Sequence, residues 1–194
     1  MRKQSTKNII MIRPKHFGFN EETAKDNVFQ NKLDKSPSEI LSIVQGEFDN
    51  FVKILRNHKI NVEVFEDKDD VVTPDSIFPN NWVSFHQDST AYIYKMFTEN
   101  RKLEIRTDII DTLTKQGFKL NSLHNLDKDD LEVLEGTGAL VLDRVNKIAY
   151  CSISNRAQLT GFHNWCSISG FKPISFSSFS HNNPIYHTNV MMAI

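Results

Sequence analysis

Three short polar stretches carry the residues of this sequence that are best suited to chemistry. They are FPNN at 78–81, EGTG at 135–138 and YHTN at 186–189. The glycines that flank Thr137 leave room for a ligand or a second backbone segment to approach Glu135. A carboxylate in such a crevice must be ion-paired, hydrogen-bonded or shifted in pKa, because burying an isolated charge costs too much. The alternative is an exposed acid in a turn that precedes a core strand.

The apolar pattern predicts the elements that would position these stretches. Ser36-Pro37-Ser38-Glu39 has the composition of a capping box with proline at the first helical position, and predicts a helix that ends near Asn57. Two more helices are predicted at about 98–116 and from about 155 to Gly170. Strands are predicted at 8–12, 62–65, 82–85, 91–96, 118–120, in the apolar run up to Asp143, and at 148–153, 171–174 and 191–194.

These elements recur in a repeated order. Asn81, Gly138 and Asn189 precede their apolar runs at intervals of 57 and 51 residues, and the tripeptide Gly-Phe-Lys follows two of the predicted helices. Such a period suits a ββαβ unit arranged like the blade of a propeller. The three polar stretches would then meet at a common axis, where an acid, an imidazole and several amides would form a catalytic or binding site. Chance similarity between short segments is the alternative.

Composition narrows the class of protein. The chain has 194 residues and a net charge of -1, which gives no reason to expect binding to nucleic acid or to an anionic membrane. No stretch fits a secretory signal or a membrane span. Cys151 and Cys166 lack CxxC spacing and favour a reducing compartment, so we expect a cytoplasmic protein.

Four motifs in order resemble the amidinotransferase/arginine deiminase superfamily, and in particular its citrulline-utilisation hydrolase type. They are MIRP at 11–14 with FGFN at 17–20, FPNNW at 78–82, EGTG at 135–138 and HTNV at 187–190. The resemblance implies a pentein fold of mixed α/β class, with five ββαβ repeats around a pseudo-fivefold axis. About three of those repeats would be present here, as one domain over residues 1–194. It also implies attack by a cysteine thiolate on a guanidino or ureido carbon, with no cofactor and no metal.

The resemblance also implies roles for individual residues. His187 matches the general acid/base and Glu135 the acid that binds the guanidinium-like group; a histidine that caps a turn is the alternative for His187. Asn81 and Asn189 stand where acids are expected, which favours a neutral ureido substrate such as citrulline. Arg156, and less clearly Arg101, match residues that bind the substrate α-carboxylate, although surface salt bridges would explain both equally well.

The nucleophile is the main departure from the superfamily pattern. Neither Cys151 nor Cys166 matches the superfamily's nucleophilic cysteine, which lies near the C-terminus in the fifth repeat. We therefore expect a C-terminally truncated chain that is inactive alone and has an exposed strand edge at residue 194 that promotes self-association. A non-catalytic, pentein-like binding module is the second interpretation. A metal-dependent hydrolase that uses His163, His181 and His187 is a third, although their spacing fits no common zinc site.

Overall fold

A computed structural model describes residues 3–25, 27, 29–128 and 131–194 of the chain. The chain divides into two compact units, one formed by Ser5–Pro79 and one formed by Asn80–Ile194 together with the first residues up to Gln4. All six predicted site residues fall within the second unit.

The unit Ser5–Pro79 is a βαβ arrangement. Its strands β1 (Asn8–Arg13) and β2 (Asn61–Glu66) pair in parallel, and helix α1 (Pro37–Asn57) connects them. The predicted capping box is confirmed: Glu39 N donates to Ser36 Oγ at 3.3 Å, and Ser36 N donates to Glu39 Oε2 at 2.9 Å. These bonds satisfy donors that the first helical turn leaves free, and thereby fix where α1 begins.

The unit Asn80–Ile194 contains two three-stranded sheets, each built in the predicted ββαβ order. In both, a hairpin is followed by helix and then by a strand parallel to the second hairpin strand. The elements are β3 (Val83–Phe85), β4 (Thr90–Ile93), α2 (Glu99–Lys102), α3 (Thr107–Lys115), β5 (Ser122–Asn125), α4 (Gly136–Ala139), β6 (Leu140–Asp143), β7 (Ile148–Ser152), α5 (Leu159–Ser169), β8 (Lys172–Phe176), β9 (Phe179–Ser180) and β10 (Asn183–Pro184).

An aromatic core holds the two sheets of this unit together. Trp165 and Phe162 on α5 are fully buried, and Tyr92 and Tyr94 pack in the same cluster. The ring of Trp165 lies 5.7 Å from that of Tyr92 and 5.2 Å from that of Phe171. Aromatic contacts of this kind stabilise the packing beyond the area that they bury.

The structure corrects three of the predicted elements. The helix predicted at 98–116 is two helices, α2 and α3, and the strand predicted at 118–120 begins only at Ser122. Residues 191–194 form no strand; Thr188–Val190 is a 3-10 turn and the chain continues without regular structure. The apolar side chains of Met191 and Ile194 are exposed, and no described strand lies beside them to complete a ladder. The strand edge expected at residue 194 is therefore absent.

The fold is thus of mixed α/β class, with two ββαβ units and one βαβ unit within the described residues. In that part of the chain, no helix is both long enough and apolar enough to cross a bilayer.

Candidate active site

Glu135 and His187 form the centre of the candidate site. Nε2 of His187 donates to Oε2 of Glu135 at 2.7 Å, and the two residues are 5% and 0% exposed. The other oxygen of Glu135, Oε1, accepts from the backbone N–H of Phe97 at 3.1 Å. The carboxylate is buried and hydrogen-bonded, as the sequence indicated, and the alternative of an exposed acid in a turn is wrong.

Backbone contacts fix Glu135 just before the single helical turn α4. Its N–H donates to the carbonyl of Arg156 at 2.9 Å, and its carbonyl accepts from Ala139 N at 2.9 Å. Gly136 has a φ of +36°, and a Cβ there would lie 2.8 Å from the carbonyl oxygen of Asn81 and overlap that of Asn80. Only glycine permits this approach, so the glycine in the motif brings the Asn80–Asn81 turn against Glu135.

Gly138 has a second spatial role. A Cβ at this position would overlap Oδ1 of Asn81 and would lie 2.9 Å from both Nδ1 and Cε1 of His187. The missing side chain therefore lets the amide of Asn81 and the imidazole of His187 come together. Asn81 is buried, and Nδ2 of Asn80 donates to its Oδ1 at 3.1 Å.

Two buried arginines complete the cluster. Nη1 of Arg101 lies 3.4 Å, and Nη1 of Arg156 3.7 Å, from Oε2 of Glu135. Each arginine is 2% exposed, so neither forms the surface salt bridge that the sequence left open. The guanidinium of Arg156 also stacks over the ring of Tyr186, 4.4 Å from its centroid. Both cations belong to the same buried group as Glu135 and His187.

His187 is held by the residues on either side of it. Thr188 is fully buried, and its Oγ1 accepts from the backbone N–H of Ser152 in β7 at 2.8 Å. The carbonyl of Tyr186 accepts from Oγ of Ser154 at 2.8 Å. These two bonds tie the segment before and after the imidazole to the sheet of β6, β7 and β8.

The charges of the cluster set the protonation of the pair. Burial alone would raise the pKa of Glu135, but the hydrogen bond from His187 and the charges of Arg101 and Arg156 outweigh it and lower that pKa to about 2. Burial lowers the pKa of His187, against the opposing effect of Glu135. At neutral pH the pair is therefore an ionised carboxylate and a neutral imidazole that donates through Nε2. Its Nδ1 then carries the lone pair and faces Gly138.

Asn189 is not brought into this cluster. Its side chain is exposed and lines a separate, open cavity of about 260 Å³ together with Thr137 and Arg144. The resemblance implied a substrate-binding role for Asn189, at the position two residues after His187 where an acid is expected; in the structure Asn189 lies within the 3-10 turn Thr188–Val190 and its side chain is exposed.

The three histidines proposed for a metal-dependent hydrolase differ in their burial. His163 lies exposed on α5 and His181 lies in the exposed turn between β9 and β10, whereas His187 is buried. Across residues 3–25, 27, 29–128 and 131–194, no three His, Cys, Asp or Glu side chains are placed to hold a metal ion.

Neither cysteine lies where it could act as the nucleophile. Cys151 is fully buried in β7 and Cys166 is 3% exposed on α5. Burial raises the pKa of each thiol to about 12, so almost none of either is thiolate at neutral pH. Both behave as small core residues, as the sequence indicated.

Sequence reasoning missed Glu104. It is buried, and it binds Arg101 through Nε to Oε1 at 3.0 Å and through Nη2 to Oε2 at 2.9 Å. The sequence signal for this pair was the spacing of three residues between Arg101 and Glu104. Exposed ion pairs on helices have the same spacing, so it does not identify a buried pair.

The sequence matches the family described as "N,N dimethylarginine dimethylhydrolase, eukaryotic" over residues 13–194. The chain belongs to this family. That membership confirms the resemblance to the guanidino-modifying superfamily that the four motifs indicated. Among curated proteins, none matches the chain by sequence.

The chain is also similar in fold to several solved structures. The chain is similar to the N-terminal domain of ArgZ, a cyanobacterial arginine dihydrolase solved as a cysteine-to-serine mutant bound to substrate, with 15% identity and a TM-score of 0.63 over 87% of this chain and 56% of that one. A dimethylarginine dimethylaminohydrolase solved as an adduct with 4-chloro-2-hydroxymethylpyridine has 15% identity and a TM-score of 0.65, over 96% of this chain and 64% of that one.

The corresponding enzyme from Pseudomonas aeruginosa, a cysteine-to-serine mutant complexed with citrulline, has 14% identity and a TM-score of 0.60, over 90% of this chain and 62% of that one. The chain thus spans between 56% and 64% of the length of these three structures. At these identities the likeness shows the fold alone.

Proposed function

We propose that the Glu135–His187 cluster is the substrate site of a guanidino- or ureido-group-modifying hydrolase that cleaves a C–N bond of citrulline or an arginine-related amino acid. The observation that carries this proposal is the buried hydrogen bond between Nε2 of His187 and Oε2 of Glu135, with two buried arginines beside it. A pentein arrangement around a pseudo-fivefold axis, as one domain over residues 1–194, and a cytoplasmic location belong to the same proposal.

In this reaction His187 moves protons through Nδ1. It takes the proton of a cysteine thiol, and the resulting thiolate forms a C–S bond to the ureido carbon. The C–N bond to the terminal nitrogen breaks, and that nitrogen leaves as ammonia with the proton that His187 returns. His187 then deprotonates water, the water adds to the same carbon, and the C–S bond breaks to release the thiol and a carbamate.

Glu135 has two functions in the proposed site. Its hydrogen bond to Nε2 fixes the imidazole tautomer that leaves Nδ1 free to accept a proton. In the proposed site its carboxylate would also accept from the N–H groups of the substrate, and such a charge-assisted contact would orient the reacting carbon. Arg101 and Arg156 would bind the α-carboxylate.

The charge balance favours a ureido substrate. Among the described residues that form ion pairs in this cluster, with His187 neutral, the arginines 101 and 156 and the glutamates 104 and 135 have charges that sum to zero. A cationic guanidinium would add a buried charge without an added carboxylate, because Asn81 supplies an amide where an acid is expected. Citrulline brings no side-chain charge, and the amide of Asn81 can accept from its N–H or donate to its carbonyl. We place Asn81 at the ureido end of the substrate and Asn189 at the margin of the site.

The nucleophilic thiolate is the part that the described cluster does not supply. Cys151 and Cys166 are buried with raised pKa values, so we propose that the thiolate comes from a cysteine outside residues 1–194. The 194-residue chain would then bind substrate without turning it over.

Ammonia release from citrulline tests this proposal. We expect none from the 194-residue protein, and none of its thiols to react with iodoacetamide while it is folded. The intact mass of the natural gene product should exceed 22.4 kDa, and that protein should release ammonia until iodoacetamide is added. Turnover by the 194-residue chain that survives replacement of both cysteines by alanine would contradict thiol catalysis.

A non-catalytic ligand-binding module is the second candidate, and the burial of both cysteines favours it. A natural product of 22.4 kDa that binds citrulline and releases no ammonia would establish this candidate in place of the enzyme.

A further inference from the structure

Glu104 is a buried carboxylate whose hydrogen bonds run to a residue of the candidate site. It lies two residues after α2, and its side chain is 1% exposed. Its two oxygens bind Nε and Nη2 of Arg101 at 3.0 and 2.9 Å. Paired bonds of this kind fix the plane of a guanidinium as well as its position.

This pairing determines which corner of Arg101 faces the site. With Nε and Nη2 bound to Glu104, the remaining nitrogen, Nη1, lies 3.4 Å from Oε2 of Glu135. The guanidinium of Arg101 thus bridges two buried carboxylates, and Oε2 of the second one also accepts from His187. A rotation of Arg101 about its side chain would move Nη1 away from this oxygen.

We propose that Glu104 is a positioning residue, which holds the guanidinium of Arg101 so that Nη1 faces the Glu135–His187 pair and the bound amino acid. The ligand part of this inference rests on the proposed function, whereas the effect on the Glu135–His187 pair does not.

A purely structural role explains this arrangement less well. Replacing a buried ion pair with apolar residues is often neutral or stabilising, so burial of Arg101 with Glu104 is weak evidence for stability. The same turn contains an exposed pair of the same spacing, in which Nζ of Lys102 lies 2.6 Å from Oε1 of Glu99. Helix α2 therefore has a surface ion pair in addition to the buried one.

The charge of Arg101 acts on both members of the pair, since it lowers the pKa of Glu135 and that of His187. Replacing Glu104 with glutamine removes the compensating charge and one of the two acceptors. Arg101 would then pair more closely with Glu135, which would compete with the hydrogen bond from His187. The loss of the Glu104 charge and the weaker hydrogen bond to Glu135 would both disfavour the protonated form of His187.

The test combines four variants with two measurements. The Cε1–H resonance of His187, assigned by its loss in His187→Asn, gives the histidine pKa by NMR, and isothermal titration gives the affinity for citrulline. We expect Glu104→Gln to lower the pKa of His187 by roughly half a unit and to weaken citrulline binding about tenfold. Glu104→Asp keeps the charge but not the paired geometry, so it should weaken binding and leave the pKa near that of the wild type.

Glu99→Gln is the matched control, because it breaks the exposed pair in the same turn, and it should change neither quantity. If the folded Glu104→Gln protein keeps both the wild-type pKa and the wild-type affinity, the positioning role is wrong. If Glu104→Gln does not fold, wild-type affinity in Glu104→Asp would overturn the proposal. If the wild-type chain does not bind citrulline, the proposed function fails, and the pKa arm alone decides the role of Glu104.

Discussion

His187 and Glu135, 52 residues apart in sequence, share a buried hydrogen bond of 2.7 Å from Nε2 to Oε2. This single contact connects the segment after β10 with the residue that precedes α4. It also fixes the tautomer of the imidazole, because the nitrogen that donates to a carboxylate must carry the proton. Any base chemistry of His187 is therefore confined to Nδ1.

We expect Glu135→Gln to lower the pKa of His187 further. The carboxylate raises that pKa through its hydrogen bond and its charge, whereas Arg101 and Arg156 lower it. The substitution also leaves two buried cations without their shared counter-charge, so the free energy of unfolding should fall by about 3–5 kcal/mol. An NMR titration of His187 and urea denaturation measure the two effects. A rise in the histidine pKa would show that the pair does not exist in solution.

Gly138→Ala should lower the stability of the protein through steric overlap inside the candidate site. The added methyl group would overlap Oδ1 of Asn81 and press on the ring of His187, and overpacking of this kind lowers the free energy of unfolding by about 1–3 kcal/mol. Gly46→Ala is the control, since it lies inside α1 with no heavy atom near the new Cβ and should stabilise by about 0.5–1 kcal/mol. Equal effects of the two substitutions in urea denaturation would contradict the close approach at Gly138.

His86 should make the protein sensitive to mild acid. Burial against Tyr92 and Phe171, with the charge of Arg144 nearby, lowers its pKa to about 3. Below pH 6.5 the unfolded chain takes up a proton at this histidine that the folded chain does not, so stability is lost as the pH falls from 6.5 towards 3. By pH 5 the loss is on the order of 1–2 kcal/mol.

The variant His86→Asn measures this contribution. Its free energy of unfolding should change less between pH 7 and pH 5 than that of the wild type, even if it is lower at both values. An identical pH dependence in the two proteins would mean that His86 titrates normally in the folded state.

The free edge of β1 should cause self-association. Within the described residues, β1 pairs only with β2. The carbonyls of Lys7 and Arg13 accept hydrogen bonds on the β2 side. Because backbone groups alternate along a strand, those of residues 8, 10 and 12 are directed to the opposite edge of β1. In the two three-stranded sheets, β4 and β7 are equivalent to β1, and on the corresponding edge each pairs with an antiparallel strand, β3 or β6. We expect β1 of a second copy to take that place.

Proline substitutions separate this association from stability. Ile10→Pro removes an N–H on the open edge, and should reduce the mass measured by light scattering at high concentration with little change in Tm. Met11→Pro removes an N–H that faces β2, and should lower Tm instead. A wild-type chain that stays monomeric at every concentration would rule out the pairing.

Much of the fold could be predicted because local signals and tertiary structure agree. The capping box at Ser36 fixes the start of α1, and Gly170, with a φ of +70°, ends α5. The prediction of one helix at 98–116 was wrong, because the apolar pattern did not match the burial of the side chains. Leu103 is exposed, whereas Arg101 and Glu104 are buried as an ion pair. Charged residues indicate an exposed position only when they have no buried partner of opposite charge.

The candidate site was predictable to a similar degree. Glu135 and His187 lie in short motifs with glycine or asparagine neighbours, and these signals can be recognised in one sequence. Glu104 has no such motif, because its role depends on the orientation of Arg101 in three dimensions. The expected role of Asn189 rested on its place in the motif, and that place does not determine that its side chain is exposed within the 3-10 turn Thr188–Val190.

The most direct test of the proposed site compares the affinities of the 194-residue chain for citrulline and for arginine, with the His187 resonance as the reporter. We predict saturable binding of citrulline that shifts the Cε1–H resonance of His187, is weakened by Arg156→Met, and is tighter than the binding of arginine. Tighter binding of arginine would contradict the neutral ureido substrate. Binding of citrulline that leaves the His187 resonance unmoved would contradict the assignment of the site itself.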